Sequence, residues 1–398
     1  MGWRVKQHWG WILAALATGV SATEFEPARL RLGEGVQFQP TMGLEYGYDD
    51  NLLHTSAESL DSQYLRITPE LQFVWGRRIS HLKAGYVLDA ASYFDSSDDN
   101  YIDHDLNLIG HHEFTARHRV DATYDYIKGH QARGTGIAEF SETDEPVEFT
   151  EHDAYGAYEF GAQTARMQLG VNLGYYQRTY DNFRERSQYR DYDTFRYGAT
   201  AKWRVGARTK LLLDLSDSDI SYDRVEPGQL SRDSNVTRGL VGVIWEATAK
   251  SEGRAAFGVE DKRFDDSGRE DFTGFAWDVA FIWRPTTYST LELISARESK
   301  DPFTNGDYVE ESSYELGWEH YWQERWATNL ELLYADKDYT GDDREDEVTK
   351  IRVGVIYEFR RWLKFEPFYS YWDNSSTRTD PQLNYDKNQF GLVMTLAL

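Results

Sequence analysis

The chain has 398 residues, with 43 Lys and Arg against 67 Asp and Glu, a formal net charge of −24. No basic stripe is present to neutralise phosphates, which argues against nucleic acid as a partner. It contains no cysteine, which excludes thiolate metal sites and thiol chemistry and suits export to an oxidising compartment.

At the N-terminus, Arg4 and Lys6 form a charged region and Trp9 to Val20 an apolar core. Val20-Ser21-Ala22 then supplies a small-residue cleavage site. This is the pattern of a cleavable signal over residues 1–22. The core is too short to stop in a membrane as a helix, and no later apolar run reaches the necessary length. Residues 23–35 are charged and lack alternation, so a short periplasmic segment is predicted there.

From residue 36 onward, two-residue periodicity takes over. Strands are predicted to begin near residues 36, 63, 80, 101, 118, 150, 165, 191 and 209, then 234, 253, 271, 288, 308, 325, 345, 362 and 383. In the first, Phe38, Pro40, Met42, Leu44, Tyr46 and Tyr48 share one face, and Gln37, Gln39, Thr41, Gly43, Glu45 and Asp49 the other. In the sixteenth, Ile351, Val353, Val355, Tyr357 and Phe359 oppose Lys350, Arg352 and Glu358. Short turns such as Gly76-Arg77-Arg78, Gly206-Ala207-Arg208 and Arg360-Arg361 recur about every 40 residues, and acidic loops of roughly 8 to 20 residues separate them. Short turns at one end and long loops at the other predict an all-β fold: a transmembrane antiparallel β-barrel of about eighteen strands, or sixteen, over residues 36–398.

Tryptophan placement orients the barrel. Trp75, Trp203, Trp245, Trp283, Trp322, Trp326 and Trp362 all lie within a few residues of a short turn, as a periplasmic aromatic girdle requires. Basic residues crowd the same end, including Arg77, Arg117, Arg166, Arg208, Lys250, Arg325 and Arg360. The last strand, with Phe390, Leu392, Met394, Leu396 and Leu398 on one face, is similar to the terminal signal read by the outer-membrane assembly machinery, although that signal usually ends on an aromatic residue.

Chemistry is expected in the lumen. Alternation points Glu45, Glu70, Asp89, Asp121, Asp125, Asp214, Asp278, Glu331, Glu358 and Glu366 inward, with Arg66, Lys83, Arg119, Arg178, Arg196, Lys202, Arg352 and Lys364. Mixed signs on neighbouring strands suit mutual pairing along the wall, or a transverse field that orients polar solutes. They do not suit a polyanion pore, which needs a dominant basic lining. Inward glycines, among them Gly43, Gly170, Gly242 and Gly258, suit curvature. No catalytic motif of the serine-hydrolase, zinc-protease or P-loop kind occurs. Acidic loops such as 95–100 and 342–347 lack the spacing and glycine of a calcium loop, so no metal or cofactor is expected. The longest segments available to fold into the lumen are residues 130–149 and 223–233.

Two segments are more specific. The first is Tyr46-Gly47-Tyr48-Asp49-Asp50-Asn51; the second runs Tyr369-Ser370-Tyr371-Trp372-Asp373-Asn374, then Asn384-Tyr385-Asp386-Lys387-Asn388. On these the chain resembles the putative β-barrel porin type 2 family of outer-membrane proteins, often encoded beside exopolysaccharide or capsule synthesis genes. The resemblance implies a Gram-negative outer-membrane protein that conducts or assists exopolysaccharide export. Its partners would be lipid and lipopolysaccharide, the assembly machinery, the polymer and periplasmic export proteins. A diffusion porin is the alternative, and an enzyme or adhesion barrel a third class. Closing the ring sets both segments side by side at the extracellular rim. Tyr46, Tyr48, Tyr371, Trp372 and Tyr385 beside Asp49, Asn51, Asp373, Asn374, Asp386 and Asn388 are then candidate sugar contacts, or merely turn caps and girdle.

Overall fold

Among the described residues, nineteen strands carry the fold. They are β1 (Leu30–Arg31), β2 (Val36–Asp49), β3 (Ser62–Arg77), β4 (Ser80–Tyr93), β5 (Tyr101–Thr115), β6 (His118–Gln131) and β7 (Val147–Phe160). Next come β8 (Met167–Tyr180), β9 (Tyr192–Arg204), β10 (Thr209–Tyr222), β11 (Ser234–Thr248), β12 (Ser251–Phe264) and β13 (Phe272–Thr286). The series ends with β14 (Ser289–Lys300), β15 (Tyr308–Gln323), β16 (Trp326–Thr340), β17 (Arg344–Arg360), β18 (Leu363–Ser376) and β19 (Tyr385–Ala397). The computed structural model describes residues 30–33, 35–77, 79–139, 143–248, 250–304 and 306–397; the leader read at residues 1–22 lies outside them.

Strands β2 to β19 form a closed antiparallel ring of 18, each bonded to its chain neighbours, with β19 returning to β2. The chain is a transmembrane β-barrel. Closure leaves no free sheet edge across the membrane. The β19–β2 ladder runs from Gln389↔Asp49 to Ala397↔Thr41 and leaves the first residues of β2 uncovered. There β1 takes over, pairing Leu30 with Phe38 and Arg31 with Gln37. The segment expected to be a plain periplasmic tail therefore contributes a short strand that caps the remaining edge.

Large apolar side chains on the outer face remain exposed to the lipid, as Val241 at 63 % and Phe275 at 53 % illustrate. Trp75, Trp203, Trp283, Trp322, Trp326 and Trp362 are exposed beside the short turns, and Arg166 covers the Trp203 ring at 5.1 Å. Trp245 packs on Phe281 in the same belt, with ring centroids 5.9 Å apart. The barrel strands run from 12 to 17 residues, whereas a tilted strand crosses a bilayer in about 9–11. Because the tryptophans anchor the turn end, the surplus length projects outward as a rim. The outer loops are more uneven than expected: residues 132–146 make a long one, while β16 and β17 are joined by residues 341–343 alone. Residues 223–230 stay exposed, and only Arg232 of that loop is buried.

Candidate functional site

Ion pairs organise the lumen face, and they run laterally. Arg66 on β3 donates from Nε to Asp89 on β4 at 2.6 Å and lies 3.5 Å from Glu45 on β2. Arg119 on β6 and Lys202 on β9 both hold Glu159 on β7, the lysine at 2.5 Å. Arg196 pairs with Asp153, and Arg178 sits 3.2 Å from Glu151 and over the Phe149 ring. Asp214 and Asp278 flank Arg254 at 2.8 and 3.1 Å. Arg352 is 3.6 Å from Glu366, and Tyr321 donates to Glu358 at 3.0 Å. Asp121 contacts His111 at 2.6 Å, Asp125 accepts from Asn107 at 2.6 Å, and Glu331 accepts from Asn329 at 3.2 Å. Lys364 stands opposite Glu358 in the register, Lys83 opposite Val74, and Glu70 opposite Val87. Several partners in these pairs (Glu151, Asp153, Glu159, Arg254) were not singled out from sequence, although the same alternation carries them. Ion pairs between strands that are adjacent or one apart in the ring brace the wall laterally.

The family-like segments do meet at the rim, but not as one aromatic platform. Tyr46 and Tyr48 bond outward-facing partners, Gln63 and Asp61, and Tyr48 packs on Phe390. Tyr369 donates to Asn388, and Tyr371 to Asp373. Trp372 and Tyr385 lie on the inner face, packed on His54 at 5.0 and 5.5 Å between ring centroids. Adjacent residues of a strand point to opposite sides, so Tyr371 and Trp372 cannot share a surface. The polar members are occupied as a seam clasp. Asn51 donates to the carbonyls of Thr55 and Asp386, both at 2.9 Å, while Asn388 donates to Asp50 at 2.8 Å. Asn374 donates to the Leu383 carbonyl at 2.7 Å, and Asp49 holds Lys387 at 2.8 Å.

Above the wall, residues 132–139 turn inward from β6 and cross the mouth. Glu139 receives both Nη groups of Arg344, at 2.7 and 2.8 Å. Arg344 begins β17, seven strands away along the shorter arc of the ring. It is only 3 % exposed, pairs also with Asp346, and covers the Tyr339 ring at 4.2 Å. Near its start the loop rests on residues 50–61. Gly134 adopts φ +75°, and a Cβ there would meet the Leu53 carbonyl at 2.1 Å, so the approach requires glycine. Farther along, Ile137 and Ala138 pack with Val147, Phe149 and Tyr180. The loop thus seats on a collar of inward aromatic side chains at the outer strand ends. Neighbouring members pair as Tyr64–Tyr93, Phe149–Tyr180, Tyr192–Tyr222 and Trp372–Tyr385, with centroids 5.5, 6.3, 5.3 and 5.8 Å apart.

A model of the family described as putative beta-barrel porin 2 matches residues 24–398. The chain belongs to that family. Fold and family together make it a barrel of the Gram-negative outer membrane. No curated protein matches it. Among solved structures it is similar to the siderophore receptor PirA from Pseudomonas aeruginosa, at 10 % identity and a TM-score of 0.43 over 92 % of this chain and 81 % of that one. It is also similar to the outer membrane protein opdK from Pseudomonas aeruginosa, at 11 % identity and a TM-score of 0.45, covering 91 % and 98 % of the two chains. For the copper transporter OprC the identity is 11 % and the TM-score 0.47, over 92 % of this chain and 65 % of that one.

In this porin 2 family member the clasp carries a titratable element. His54 is buried between Trp372 and Tyr385, its Nδ1 3.3 Å from the Arg133 carbonyl and its Nε2 3.3 Å from Lys387 Nζ. Burial, then the Lys387 charge, hold the imidazole well below its ordinary value, so it is neutral when folded. The unfolded chain binds a proton below about pH 6.5 and the folded one does not, so stability is lost as pH drops below that value, by up to about 1.4 kcal/mol per unit. Urea unfolding at pH 7.5 and 5.5 is expected to show this loss, and His54→Gln to reduce it. An unchanged pH slope in the variant would remove the assignment.

Proposed function

We propose that this protein is a conduit through which exopolysaccharide leaves the cell, passive in itself and driven by synthesis and export proteins on the periplasmic side. The observation that carries the reading is the mouth. A standing diffusion pore needs a permanent water path, and here a loop crosses the outer end and is anchored on the far wall by a buried ion pair. A loop held across the mouth in this way suits cargo that arrives from below and displaces it in passing. The collar beneath the loop supports the same reading, because aromatic faces among a few fixed polar groups are what ligand sites for hydroxylated rings use. A solute-diffusion porin is the second reading, favoured by the laterally paired wall, whose balanced charge suits small uncharged solutes.

Deletion of the gene, with complementation by the full chain, tests the first reading. Secreted polymer is expected to fall severalfold in the deletion strain and to recover on complementation. Unchanged secretion, with a stable open channel for the wild type in planar bilayers, would replace export by diffusion.

A further inference from the structure

A cavity of about 430 Å³ lies among the outer loops from β8–β9 round to β16–β17, and its lining includes Arg190, Arg224, Arg232, Arg269 and Thr304. Its cations are held in an unusual way. Arg232 is 9 % exposed, and its Nη2 donates to the Thr304 carbonyl at 2.9 Å. Its Nη1 has no hydrogen-bond partner among the described residues. Arg190 donates from Nε to the Phe303 carbonyl at 2.9 Å and from Nη2 to the Thr304 carbonyl at 3.0 Å. Two guanidinium groups therefore converge on one stretch of backbone, and among the described residues neither has a carboxylate in ion-pair range.

Three of the nearby acids are committed elsewhere. Asp301 takes Lys262 at 2.5 Å and the Tyr222 hydroxyl at 2.8 Å. Asp307 pairs with Arg269 at 2.8 Å, and Asp342 with Arg378 at 3.1 Å. Glu226 also lines the cavity, on the exposed loop. Burial, then the neighbouring Arg190 charge, bring the Arg232 guanidinium down to about 10, as expected for a cation without a counter-ion. In a chain with 67 acids and 43 bases, leaving two arginines without acidic partners is informative.

We propose that this cavity binds an acidic saccharide unit, its carboxylate or phosphate group seated between Arg190 and Arg232. Guanidinium groups recognise both anions, here through the donors not spent on the Phe303 and Thr304 carbonyls, and the volume lies in the range of small-molecule sites. The site goes beyond the conduit reading and stands without it, since it needs only the cavity. An anionic sugar can come from secreted polymer or from lipopolysaccharide. The cavity sits above the inward Tyr222, among the loops and away from the lipid-facing wall, which favours a polymer whose acidic units are spaced among neutral ones, as a wall of mixed sign can pass.

Calorimetric titration of the purified full barrel in detergent tests this with three probes: oligoglucuronate, uncharged oligoglucose and lipopolysaccharide. Oligoglucuronate is expected to bind, and Arg232→Gln and Arg190→Gln each to weaken it at least tenfold. Arg263→Gln, which removes an exposed cation on the outer face, should leave binding unchanged. Heat-modifiable gel mobility confirms that each variant is folded, and Arg190→Gln carries the test if Arg232→Gln is not. Equal affinity for oligoglucose, binding of lipopolysaccharide alone, no binding of oligoglucuronate, or undiminished binding in the folded variants would each overturn the proposal.

Discussion

Glu139→Ala is expected to increase the open population of the barrel in planar bilayers about tenfold or more, at a cost in stability of no more than about 3 kcal/mol. Glu139 lies on the loop that crosses the mouth, and its carboxylate takes both Nη groups of Arg344. Hydrogen bonds to charged groups contribute roughly 1.5–3 kcal/mol, and about 1.4 kcal/mol is a factor of ten in population. The substitution isolates the latch because Arg344 keeps a second buried partner in Asp346. Arg344→Ala does not, since it strands two carboxylates, one of them fully enclosed in the wall. It is expected to raise conductance and to lower stability together. Cysteines introduced as Glu139→Cys and Arg344→Cys and joined by a short bis-maleimide should hold the channel shut. Equal conductance of Glu139→Ala and wild type would mean that the loop does not control the mouth.

Much of the wall is legible in the sequence because a membrane barrel repeats one rule. The strand start predicted at residue 118 is observed at His118, and those at 209, 234 and 308 are observed at Thr209, Ser234 and Tyr308. Loop architecture is not legible in the same way. Glu139 and Arg344 are 205 positions apart, and no periodicity links a loop tip to a distant strand end. Of the two loops long enough to enter the lumen, residues 132–139 do so and residues 223–230 do not. The difference is chemical: Ile137 and Ala138 have an apolar collar to cover, whereas Val225 and Leu230 remain exposed in their loop. The collar itself was available in the alternation, as an inward Tyr, Phe or Trp near the outer ends of successive strands. It escapes a search for charged lumen residues. The rim motif shows the reverse error, since grouping Tyr371 with Trp372 overrides the alternation that separates them.

Asp49→Ala is expected to destabilise the barrel by about 3–5 kcal/mol, the cost of breaking a buried ion pair from one side. Asp49 is 0 % exposed. Its carboxylate takes Lys387 Nζ at 2.8 Å, Gln389 Nε2 at 2.5 Å and the Asn51 amide at 3.0 Å. All of this sits where β19 closes on β2, so one side chain ties β2, β19 and the loop between β2 and β3. Without it, Lys387 faces the neutral His54 ring and has lost its carboxylate. A double substitution, Asp49→Ala with Lys387→Met, removes the stranded charge and is expected to recover most of the loss. Urea unfolding followed by tryptophan fluorescence measures both. The cycle also decides what the family-like segment is for. If the single variant is destabilised and the double variant recovers while polymer secretion stays normal, the motif is a clasp that closes the ring. If stability changes by less than about 0.5 kcal/mol, the range of an ordinary surface change, the clasp is not what holds the seam.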